Sequence, residues 1–148
     1  MKQSEVEVFP YVGVNDYKFG KTPSEIEKEF GAPQKREEDD ILEMVIEDRD
    51  GMEFEYHKKG KKYLLSAITI LQKNCKNIYL DGKNIFDSMS LGVSDLSSNY
   101  LQGEKYVFYG DVGVSVAGYS RKKPKEGPYV IAFNQASYSI FELDGLKK

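Results

Sequence analysis

The stretch from Ile41 to Tyr56 constrains the fold most. Leu42, Met44 and Ile46 point one way against Glu43, Val45 and Glu47, and past Arg49-Asp50-Gly51 the residues Met52, Phe54 and Tyr56 alternate with Glu53 and Glu55. A period of two sends successive side chains to opposite faces of a strand. Asp50-Gly51 suits a type I′ turn, whose two central residues both need positive φ. A β-hairpin is therefore predicted here. A second turn at Lys58 to Lys62 leads into Tyr63 to Leu71, apolar on both faces, the pattern of a covered central strand. Ile78-Tyr79-Leu80 and a further turn, Asp81-Gly82, follow. At the start of the chain, residues 5 to 12 begin with alternation and read as a short strand or extended lead-in broken by Pro10.

Upstream of the hairpin lies Phe19-Gly-Lys-Thr-Pro-Ser-Glu-Ile-Glu-Lys-Glu-Phe-Gly-Ala-Pro33. Thr22 suits an N-cap, Pro23 the first helical position, and Glu25 closes a capping box. Gly31 and Pro33 end the element, which leaves a helix of about two turns. Ile26 and Phe30 share one face, so this helix is stable only when that stripe rests on something else. Leu91-Gly92-Val93-Ser94 echoes Phe19-Gly20-Lys21-Thr22, and Gly103 stands to Gly92 as Gly31 does to Gly20. The apolar stripe shifts there to Leu96, Tyr100 and Leu101. Strands are expected at Tyr106 to Tyr109, Val112 to Val116 and Pro128 to Phe133, and residues 138 to 143 suit a last strand or docking tail. Helix followed by three strands would then occur twice, in half-repeats of about 13–72 and 80–135. The fold class is α+β, with antiparallel meanders carrying short helices on one face.

A chain of 148 residues, 40% hydrophobic, is long enough for one domain with a substantial core. Its net charge of −3 gives no general attraction to nucleic acid or an anionic membrane. One cysteine, Cys75, excludes an intramolecular disulfide and a multi-cysteine zinc site. No apolar leader or membrane-length run is present, which suggests a cytoplasmic protein. No cofactor motif occurs.

The Phe19 to Pro33 unit followed by a meander resembles the repeat of β-lactamase-inhibitor-protein-like folds, which also occurs in small outer-membrane-assembly lipoproteins. The resemblance implies a short helical segment packed on an antiparallel sheet, with tandem copies forming a curved sheet whose open face binds another protein. The inhibitor's disulfides cannot form with one cysteine, and no lipidation cysteine follows an apolar leader.

Among residues that can carry function, eleven tyrosines and no tryptophan stand out. Tyr56, Tyr63, Tyr106, Tyr109, Tyr119 and Tyr129 lie on or beside predicted strands, where most serve as half-buried packing, and Tyr56, Tyr106, Tyr109 and Tyr119 are the candidate anchors for a partner. The acidic run Glu37, Glu38, Asp39 and Asp40 suits the rim of an interface, because rim charge steers association. It does not suit calcium, since Asp48-Arg-Asp50-Gly51 lacks the first and last ligands of an EF-hand loop. Lysine-rich tips at 58–62 and 121–125 are expected to be solvated, as lysine guards strand edges. Catalysis would have to use His57 or Cys75, and no G-x-S-x-G, Walker loop or H-E-x-x-H is present.

The expected function is a non-enzymatic protein-binding module, inhibitor-like or of the bacterial immunity type, that blocks a toxin or enzyme through strand tyrosines and acidic side chains. The competing expectation is a small-ligand or sensory module with a pocket between helix and sheet, lined by Phe54, Ile68, Val116 and Phe133.

Overall fold

The computed structural model describes residues 5–75, 77–86, 96–103, 106–118, 124–125 and 127–134. The chain opens with strands β1 Glu5–Phe9, β2 Gly13–Val14 and β3 Tyr17–Lys18, followed by helix α1 Pro23–Phe30. A meander of β4 Lys35–Asp39, β5 Met44–Arg49, β6 Met52–Lys59 and β7 Lys62–Leu71 comes next, ending in a single 3-10 turn at Gln72–Asn74. After β8 Asn77–Leu80 and β9 Lys83–Asn84, a second meander runs through β10 Leu101–Gln102, β11 Tyr106–Tyr109, β12 Val114–Ala117 and β13 Tyr129–Phe133. The class is α+β, as the patterning predicts.

The two meanders join into one eight-stranded sheet in the order β10-β11-β12-β13-β7-β6-β5-β4. Their last strands, β7 and β13, pair antiparallel, with Thr69 opposite Ile131 and Ala67 opposite Phe133. This explains why Tyr63 to Leu71 is apolar on both sides: β7 has neighbours on both edges and contacts on both faces. Beyond the end of β13, Gly20 N donates to Leu65 O at 2.9 Å and Leu65 N to Lys21 O at 2.7 Å, so the lead-in to α1 takes over that edge of β7. A smaller sheet, β3-β2-β1-β8-β9, contains a parallel pair, β1 with β8. Local patterning cannot reveal such a pair, since its strands are separated by a long crossover.

Asp50 and Gly51 have φ of 53° and 75°, as a type I′ turn requires. A two-residue turn fixes the register of the hairpin: Arg49 faces Met52, Glu47 faces Phe54 and Val45 faces Tyr56. Consequently the buried side of β5 consists of Val45, Glu47 and Arg49, while the more apolar Met44 and Ile46 turn outward. On β6 the buried set is Met52, Phe54 and Tyr56, as the alternation predicts.

The capping box on α1 is complete: Thr22 Oγ1 accepts from Glu25 N, and Glu25 Oε1 accepts from Thr22 N at 3.0 Å. These bonds, the backbone one first, hold the Glu25 carboxyl below the ordinary glutamate range. Ile26 is buried, an apolar burial that contributes about 1.5–3 kcal/mol. Phe30 rests on the Tyr17 ring at 4.5 Å, and Tyr17 meets Phe54 edge-on at 4.8 Å, which ties helix, small sheet and large sheet together.

One core cluster spans both sheets and α1, from Val6 and Ile78 through Ile26 to Phe54, Ile68 and Val116. A second lies on the other face of the large sheet, where Ala67, Phe108 and Phe133 meet Tyr11 and Leu101.

The expected second helix is not found among the described residues of its stretch. Residues 91–95 lie outside them, and Leu96 to Gly103 form a turn, extended chain and β10. The reason is visible in the neighbours Tyr100 and Leu101: the first packs on the main core and the second on the opposite-face cluster. Such alternation belongs to a strand, and it separates residues that a helical stripe would have to keep together. The last expected strand, residues 138–143, and most of the second lysine tip, residues 121–123, also fall outside the described residues.

Candidate functional site

The face of the large sheet turned away from α1 carries the side chains that the inner core does not use. On β5 these are Met44, Ile46 and Asp48, on β6 Glu53, Glu55 and His57, and on β13 Tyr129 and Ile131. The register sets them in rows across the strands. One row runs Lys35, Asp48, Glu53, Thr69, Ile131, and the next runs Glu37, Ile46, Glu55, Ala67, Phe133.

A half-open groove of about 740 Å³ runs along this face. Thr69, Leu71 and Ile131 form its floor, Asp48, Glu53 and Glu55 one wall, and Tyr106 and Tyr129 the other. The two tyrosine rings meet edge to face at 6.3 Å, and their hydroxyl oxygens are 3.5 Å apart. One end is closed by the Asp50-Gly51 turn, where Gln34 Oε1 accepts from Asp50 N at 3.2 Å and Asn74 Nδ2 donates to Gly51 O at 3.1 Å. Towards β4 a shallower recess of about 210 Å³ continues past Ile46 to Lys35 and Glu37. Lys35 Nζ bonds Glu37 at 2.8 Å, which raises the lysine above its usual range.

The structure divides the tyrosines expected at an interface. Tyr106 lines the groove. Tyr56 and Tyr109 are fully buried in the inner core and cannot reach a partner, because their strand positions share parity with Phe54 and Val107. Tyr119 lies outside the described residues. Of the acidic run, Glu37, Glu38 and Asp39 stand on β4, the outermost strand, and Asp40 opens the turn after it. Only Glu37 among these lines either depression. That turn also presents Ile41, 94% exposed, and Leu42, 67% exposed, an apolar tip set among carboxylates. Sequence reading missed the acidic wall of Asp48, Glu53 and Glu55 as a site, although alternation in the hairpin already placed Glu53 and Glu55 opposite the core.

The pocket expected between helix and sheet does not form around its proposed lining. Phe54, Ile68 and Val116 are packed in the main core, whereas Phe133 points to the other face. The two side chains considered for catalysis are also apart. Cys75 is buried in the main core, its thiol pushed up by that burial, and Sγ donates to Asn77 O at 3.3 Å. His57 stands on the outward face with Nε2 3.9 Å from Glu55. Among the described residues no group of three or more His, Cys, Asp or Glu is placed to hold a metal ion. No helix among them is long and apolar enough to cross a membrane.

A second polar constellation is internal. Glu47 is completely buried on β5 and receives Tyr56 Oη at 2.7 Å and Arg36 Nε at 2.7 Å. Arg49, 3% exposed, places Nη2 3.6 Å from Glu47 and donates through Nη1 to Gly31 O at 2.6 Å, the carbonyl just past α1. Arg36 also reaches Glu27 on α1 at 2.9 Å. The network therefore bolts the helix to the edge of the sheet, and its buried carboxylate is satisfied from two sides.

No family model, curated protein or solved structure matches the chain.

Proposed function

We propose that this chain is a cytoplasmic, non-enzymatic protein-binding module, inhibitor-like or of the bacterial immunity type, that docks a toxin or enzyme through the outward face of its large sheet. The observation that carries this reading is the groove itself: a tyrosine pair on one wall, carboxylates on the other and an apolar floor between. Partly exposed tyrosines over an apolar floor have the composition of an interface centre, and the surrounding charge that of a rim. The apolar tip at Ile41 and Leu42 would extend the contact beyond the sheet edge.

Small-ligand binding is the second reading, and the groove volume favours it, since about 740 Å³ falls within the usual ligand-pocket range of roughly 300–1,000 Å³. The half-open shape and charged wall fit a protein side better, because small ligands are held by enclosure.

A photo-crosslinking residue at Thr69, on the groove floor, tests the reading against the same residue at Lys28 on the exposed side of α1. In cells of the source organism, Thr69 should yield a discrete protein adduct that Tyr129→Ala abolishes, and Lys28 should yield none. Equal adducts at both positions, or adducts at Lys28 alone, would overturn it.

A further inference from the structure

The groove is asymmetric in charge as well as in shape. Among its described lining residues, three are carboxylates, Asp48, Glu53 and Glu55, and one is an ammonium, Lys73. Asp48 and Glu53 are direct cross-strand partners, an arrangement that like charges disfavour. Lys35, on the other side of Asp48, has its ammonium on Glu37. Facing these acids are the rings of Tyr106 and Tyr129, with Leu71 and Ile131 between.

Carboxylates opposite aromatic rings over an apolar floor match one chemical group well. A guanidinium donates two parallel bonds to a carboxylate, stacks its plane on an aromatic ring and lays its methylene stem along apolar surface. Resting on the docking reading above, we infer that the groove seats an arginine side chain from a basic segment of the partner protein. An ammonium fills the same place less well, as a point charge without a stacking plane. An acidic segment is repelled from it.

The test uses four short peptides identical except at one central position, which is arginine, lysine, citrulline or glutamate, titrated into the isotope-labelled chain at fixed low salt. Citrulline keeps the shape of arginine and removes its charge. The arginine peptide should shift the amides of Thr69 and Ile131 saturably, about tenfold more tightly than the citrulline peptide, with lysine between them and glutamate inert. Glu53→Gln together with Glu55→Gln should make arginine and citrulline indistinguishable. Equal binding of arginine and citrulline by the wild-type chain overturns the cation seat and leaves docking through the groove standing. Shifts located away from the groove, or no shifts with any of the four peptides, also overturn the seat. The docking reading falls separately, on the crosslinking result at Thr69.

Discussion

The phenol of Tyr56 donates to Glu47 Oε1 at 2.7 Å, and both side chains are fully buried. Around this pair, Arg36 and Arg49 neutralise a carboxylate that the hairpin register forces inward. Removing the acid strands Arg49 in the core, where an uncompensated charge costs far more than the pair itself stabilises. Glu47→Ala should therefore lose about 3–5 kcal/mol of stability in urea denaturation, and Tyr56→Phe about 1–3 kcal/mol. A loss below about 1 kcal/mol for Glu47→Ala would show that the network does not bolt α1 to the sheet.

Gly13 packs against the backbone of the strand that follows it. A Cβ built there would lie 2.0 Å from Tyr17 O, so no side chain fits without moving β2 away from β3. Tyr17 joins the helix and both sheets, and such a shift would reach the core. Gly13→Ala should cost at least about 2 kcal/mol, read from the thermal midpoint. A midpoint equal to that of the wild type would contradict this packing.

Alkaline pH should loosen the fold. The thiol of Cys75 and the phenols of Tyr17 and Tyr56 are all pushed up, burial being the largest cause in each and hydrogen bonds to Asp50 and Glu47 adding to it for the two phenols. Each group thus holds its proton more tightly in the folded chain than in the unfolded one. The resulting stability is complete below the unfolded values, about 8.5 for a thiol and about 10 for a phenol, and declines as pH rises above them. Denaturation midpoints should fall from about pH 8.5 upward, and Cys75→Ser should remove the first part of that fall. A profile flat through both ranges would contradict it.

At the tip formed by Ile41 and Leu42, both side chains are mostly exposed, Ile41 almost completely. Replacing both with serine should leave stability within about 0.5 kcal/mol of the wild type, yet weaken binding of the partner. A substantial drop in stability would mean that the tip packs against the chain itself.

How much of this the sequence disclosed depended on whether a feature was local. The capping box, the Asp50-Gly51 turn and the central strand at Tyr63 to Leu71 follow from neighbouring residues, and all three are present. The inward face of β5 followed from turn register and not from apolar count, so Glu47 and Arg49 are buried while Met44 and Ile46 are not. Tyr56 and Tyr109 carried the same local signal as Tyr106, and only strand order and parity separated core from groove. The wall opposite Tyr106 comes from β6 and β5, four and five strands from β11 across the sheet, and no local pattern joins them. The parallel pairing of β1 with β8 was hidden for the same reason.

Docking through the groove can be read by calorimetric titration of the crosslinked partner against the wild type, Tyr129→Ala and Glu29→Ala. Tyr129→Ala should weaken affinity by about tenfold or more, the loss expected at an interface anchor, while Glu29→Ala on the exposed side of α1 should bind like the wild type. Unchanged affinity for Tyr129→Ala, with a loss for Glu29→Ala, would move the docking surface from the groove to the helix.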